Sequence, residues 1–212
     1  MGRNSNAIER VSKRVGWYSS SASIPEDEVF NSILHGFVFN CPAALKRGKG
    51  EQTTYMPVSS RKRCSFRSRN IAGSLLTTLG AQIKRLVDKD CYQIVGTKSS
   101  VYTSVDEAAR YLTESSSRSD EFFNLIVFRR RSDMSDPEAV FYAVRNAFAH
   151  GSFEVTSPVG GGERVYLLEA AKDGVPKARI RLKESQMQEL LHIGRFNKSS
   201  VKQLQQKRQR RR

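Results

Sequence analysis

Ser135-Asp136-Pro137-Glu138-Ala139-Val140-Phe141-Tyr142-Ala143-Val144-Arg145-Asn146-Ala147-Phe148-Ala149-His150-Gly151 reads as one complete helix with both ends marked. Asp136 suits the N-cap, Pro137 the first helical position, and Glu138 the positive end of the dipole. Val140, Phe141, Val144, Ala147 and Phe148 recur at helical spacing, which sets one face against a core. Gly151 follows the last periodic residue, where a left-handed C-cap belongs. Into this helix the sequence places Arg145, Asn146 and His150. Asn146 and His150, four apart, share a face. Arg145 stands about 140° from His150, at roughly 100° per residue. The two meet on one target only if the last turn unwinds, the arginine wraps round, or a second subunit supplies one of them.

Upstream of this helix, residues 120–130 are very apolar (Phe122, Phe123, Leu125, Ile126, Val127, Phe128) and are expected to form a core helix. Periodicity alone does not separate that reading from a buried strand. Arg129-Arg130-Arg131 ends the run, close in sequence to the Asp136 helix. Further back, Ile71, Leu75, Leu76, Leu79, Ile83, Leu86 and Val87 repeat at three and four over about five turns. Gly73 and Gly80 within that run imply a close neighbour that offsets their helix cost of about 1 kcal/mol each. Ser104-Val105-Asp106-Glu107 is a capping-box pattern opening a helix to about Leu112. Another helix begins after Pro25, with Glu26, Asp27 and Glu28 in its first turn and an apolar face from Val29 to Val38. Beyond Gly151 the period changes. Phe153 and Val155, then Val165, Leu167 and Leu168, then Ala178, Ile180 and Leu182 predict strands, with Gly160-Gly161-Gly162 and Asp173-Gly174 as turns. Glu184 opens a closing helix on Met187, Leu190 and Leu191.

Charge is concentrated. The chain of 212 residues has a net charge of +15. Residues 46–69 hold eight Lys/Arg against one acid, Glu51, and residues 195–212 hold eight and no acid, so these two segments account for the whole excess. Concentrated positive charge attracts polyanions by counterion release. That makes RNA the expected partner, contacted by Arg61, Lys62, Arg63, Arg67, Arg69, the Arg129-Arg130-Arg131 trio, and Arg208, Arg210, Arg211 and Arg212. Tyr55 and Phe66 are candidate stacking partners for unpaired bases. No apolar stretch approaches the roughly 20 residues of a membrane span, and no apolar signal region opens the chain, so a cytoplasmic protein is expected. Cys41, Cys64 and Cys91 are odd in number and far apart, which fits reduced thiols better than disulfides or a zinc site. Scattered histidines and the lack of a paired-carboxylate motif offer no metal ligand set, and no cofactor is expected.

The Arg145-Asn146-x-x-x-His150 string, ending a helix before Gly151, resembles the Arg-x(4–6)-His signature of the HEPN superfamily. Residues 152–191 also resemble the hairpin-plus-helix extension of a branch found on plasmids and phages. The resemblance covers roughly residues 29–191. It implies a mainly α fold, a HEPN-like helical bundle with a small C-terminal β-hairpin and helix extension. The expected organisation is a flexible leader (1–23), the bundle (24–151, with a basic loop at 43–69), the extension (152–194) and a basic disordered tail (195–212). It further implies a metal-independent endoribonuclease acting by 2′-OH attack, as a toxin or phage-defence effector, working as a homodimer with the active site at the interface. In that reading His150 does acid/base work, Arg145 stabilises the transition state and Asn146 orients. Two alternatives stay beside it: a non-catalytic nucleic-acid-binding protein, and a toxin–antitoxin partner bound to an antitoxin or regulatory protein.

Overall fold

Four consecutive apolar residues, Leu125 to Phe128, have no polar face because both of their faces are covered. They belong to a strand within a five-stranded sheet. The computed structural model describes residues 24–43, 66, 69–114, 123–157 and 161–195. In chain order these form α1 (Glu28–Phe39), α2 (Ser74–Lys84), a 3-10 turn (Lys89–Cys91), β1 (Tyr92–Val95), α3 (Val105–Glu114), β2 (Leu125–Arg129), α4 (Asp136–Ala149), β3 (Phe153–Thr156), β4 (Val165–Lys172), β5 (Val175–Lys183) and α5 (Glu184–Arg195). The sheet order is β1-β2-β5-β4-β3. β1 and β2 are parallel, joined through α3, and every other neighbouring pair is antiparallel.

The expected mainly α bundle is therefore corrected to an α/β fold. Within the run expected as a helix, Leu125–Arg129 form an interior strand instead, and β3, β4 and β5 continue the sheet that β1 and β2 begin rather than forming a small appendage. The physical reason lies in β2. A strand buried on both faces reads as a continuous apolar run, and its β-branched and aromatic content suits a pleat.

Strand register divides the two faces. Phe128 opposes Ala178, which opposes Ala170, and this row faces α4. The next row, Val127, Arg179 and Glu169, faces the other way, where α3 packs. α4 lies against β2, β5 and β4, with α1, α2 and α5 packed around it on the same side. The core on that side is aromatic: Phe30 stacks on Tyr166 and Phe153, and Phe37 and Phe66 meet Phe141. Phe66 is fully buried, so its expected role as a base-stacking surface is corrected to core packing.

Two local expectations hold: α5 opens at Glu184, and Asp173 and Gly174 (φ 54° and 72°) make the tight turn between β4 and β5. α1 starts later than expected, at Glu28, with Asp27 as its N-cap rather than in its first turn. A Cβ on Gly80 would sit 3.5 Å from Cγ of Pro137, so this glycine admits the first turn of α4. Gly73 lies before α2 rather than inside it.

Candidate functional site

α4 is capped one residue earlier than its composition suggests. Ser135 is the N-cap, and the Glu138 carboxylate accepts hydrogen bonds from the Ser135 backbone N–H (2.9 Å) and hydroxyl (2.7 Å). The far end closes with a left-handed Gly151 (φ 67°), the Gly151 N–H reaching Phe148 O and the Ser152 N–H reaching Ala147 O. That arrangement is a Schellman motif. It stops the helix at Ala149 and leaves His150 as the exposed C-cap residue.

One stripe of α4, made by Ala139, Tyr142, Ala143, Asn146 and His150, faces a groove of about 550 Å³. Phe128, Ala170 and Ala178 line the sheet side, from three adjacent strands in register. The alanines on both walls hold the groove open, since larger residues at those positions would fill it. Around it stand Arg129, Arg130 and Arg131 from the end of β2, with Lys172 and Lys177 from the β4–β5 hairpin. Among the described residues the sole carboxylate lining it is Asp133, gripped by Arg131 through Nε (2.9 Å) and Nη2 (2.8 Å). Arg131 also lies 4.7 Å over the Tyr142 ring, so its guanidinium is held in place from two sides.

The structure brings Asn146, His150 and the arginine trio to one groove. Arg145 is not among the residues lining it. Its Nη1 donates to Oδ1 of Asn146 at 2.8 Å, so it reaches the site by holding a side chain that lines it. The 140° offset on the helix accounts for this placement. Arg69 stands elsewhere, 5.2 Å over the Phe66 ring. Arg61, Lys62, Arg63, Arg67, Arg208, Arg210, Arg211 and Arg212 lie outside the described residues. Of the other histidines, His35 packs against Phe39 on the surface of α1 and His192 is exposed on α5. Neither lines the groove.

Comparison with protein-family models, with curated proteins and with solved structures finds no match. The chemistry of the groove itself therefore carries the functional reading.

Sequence reasoning missed Tyr142, Lys172, Lys177 and the alanine floor. The α4 stripe was available as a signal, because 139, 142, 143, 146 and 150 follow helical spacing and alternate small with polar residues. The two lysines flank a recognisable turn, but only strand pairing carries them to α4.

A second cavity of about 590 Å³ adjoins the first, with Arg130, Arg131 and Ser132 lining both. It lies between α2, Tyr92 of β1 and the segment leading into α4. Tyr92 is 9% exposed, and its hydroxyl has no hydrogen-bond partner among the described residues. The Lys84 ammonium lies 5.2 Å over its ring. Among the described residues no three His, Cys, Asp or Glu side chains gather into a metal-holding group, and no helix is long and apolar enough to cross a membrane.

Proposed function

We propose that the groove between α4 and the strand ends binds the phosphate backbone of single-stranded RNA. One observation carries this reading: five Lys/Arg residues line a groove floored by small residues, and the single carboxylate among the described lining residues is already engaged by Arg131. Guanidinium groups match phosphate oxygens in fork geometry, and lysines add charge that a displaced counterion atmosphere rewards. A concave groove of this size admits one strand rather than the convex side of a duplex. Replacing Arg130 and Lys177 by Ala should weaken RNA binding and flatten its dependence on salt, by about 0.7 in log–log slope for each phosphate no longer neutralised. An unchanged slope in fluorescence anisotropy would remove the reading.

A second reading, metal-independent cleavage in the same groove, is favoured by His150 and Asn146 lining it together. An imidazole titrates near neutral pH and can take the 2′-OH proton as that oxygen attacks phosphorus. The P–O5′ bond then breaks, O5′ takes a proton from an acid, and a 2′,3′-cyclic phosphate remains. The arginine trio would stabilise charge on the phosphorane oxygens. One imidazole per groove serves one proton transfer, which makes a second copy of the chain the natural source of another. The assay is cleavage of mixed RNA in EDTA, with product ends analysed. Cleavage that His150→Ala abolishes while binding persists supports this chemistry; equal rates for variant and wild type end it.

A further inference from the structure

We propose that the second cavity receives the base of a nucleotide whose phosphate rests on the arginines of the adjoining groove. This rests on the backbone-binding reading and adds what the neighbouring cavity takes. The two cavities share Arg130, Arg131 and Ser132 as a common wall, so a ligand in one continues into the other. Their chemistries differ as the parts of a nucleotide differ. The groove is ringed by cations. The second cavity adds apolar walls from Leu76, Ala81, Met134 and Pro137, and beside the shared arginines it is lined by Lys84, Asp136 and Tyr92.

A base offers flat apolar faces to those walls and amino or imino donors for the Asp136 carboxylate. Tyr92 supplies the complementary group. Its ring is buried and its hydroxyl unpartnered among the described residues, an arrangement that costs stability unless something occupies the site. Burial, reinforced by the Asp136 charge, pushes its pKa well above the usual phenol range, so it stays protonated and able to donate to a ring nitrogen or carbonyl. Gly73 and Gly80 put no side chains into the cavity, leaving a volume in the range of about 300–1,000 Å³ seen for small-molecule sites.

The test measures anisotropy with the full chain and three probes: a labelled eight-nucleotide RNA, an abasic RNA of the same length, and AMP as competitor. The wild type should bind the base-bearing RNA at least tenfold more tightly than the abasic one. Tyr92→Phe, which keeps the ring, should weaken binding of the base-bearing RNA about fivefold and leave the abasic RNA unaffected. Ala81→Phe, which fills the cavity, should collapse the difference between the two. Competition by AMP would identify a free nucleotide as sufficient, and its failure would require the RNA chain. Equal affinity of the wild type for both RNAs overturns the base site while leaving backbone binding intact. Absence of binding to either RNA overturns both.

Discussion

Asp27 does two things at once. Its Oδ1 accepts the Phe30 N–H at 2.9 Å, capping α1, and its carboxylate also takes the Arg164 guanidinium. Arg164 pairs in turn with Glu184, the first residue of α5, whose carboxylate accepts the Tyr166 hydroxyl at 2.8 Å. Chiefly through Arg164, the Asp27 pKa falls from 3.8 to about 2. A carboxyl depressed in the folded state stabilises above its unfolded pKa and stops doing so as pH falls through its folded one. The contribution is thus full above about pH 4 and is lost toward pH 2. Denaturant midpoints at about pH 6, 4, 3 and 2 should show Asp27→Asn less stable than wild type at the highest pH, with the gap closing toward the lowest. A constant gap would place the coupling elsewhere. At Tyr92 the expectation has the opposite sign: without ligand, Tyr92→Phe should unfold at an equal or higher denaturant concentration, by up to about 1 kcal/mol, because a buried unpartnered hydroxyl is removed.

Between elements, two glycines set how closely α5 approaches the other helices. A Cβ on Gly36 of α1 would fall 2.4 Å from Cδ1 of Leu191, and one on Gly194 of α5 would fall 2.7 Å from Cε1 of Phe141. The Leu191 methyl is the end of a flexible side chain, while the Phe141 ring is fully buried between Phe37 and Phe66. Gly194→Ala should therefore be the costlier change, on the order of 1–3 kcal/mol of overpacking, with Gly36→Ala below it. Thermal or chemical unfolding of the two variants decides the order. These close approaches are invisible in the sequence, where both glycines merely interrupt helical patterns. What was legible was local: the capped Asp136 helix, the Asp173-Gly174 turn and the α5 stripe each depend on neighbours within a few residues. What was not legible depended on partners far along the chain. β2 lacks alternation because α3 covers the face opposite α4, and β1 is only four residues long. At the site, Asn146, His150 and the arginine trio could be named from the chain alone. Arg145 fell beside the groove because a regular helix turns it away.

At the scale of the whole molecule, an ion cluster fastens the α3 layer to the sheet. Arg179 of β5, 1% exposed, donates through Nε to Glu169 of β4 at 2.9 Å and through Nη1 to Asp106 of α3 at 2.5 Å. Arg179→Met strands a buried Glu169 carboxylate and should cost about 3–5 kcal/mol. Replacing both, Arg179→Met with Glu169→Leu, should recover much of that deficit, which a double-mutant cycle of unfolding free energies would measure. Non-additivity near zero would mean the pair is not coupled. The strand that carries Arg179 has another consequence. β5 lies between β2 and β4, so the parallel half of the sheet joins the antiparallel half through a strand near the end of the described chain. A ribosome that has made β2 but not β5 holds a nascent chain whose most apolar strand has an open edge. Closing the sheet must wait for about fifty more residues, and contacts so distant in sequence form slowly. Folding of this domain is then completed after most of it has been synthesised, and chaperones that shield extended apolar segments would meet it in that interval.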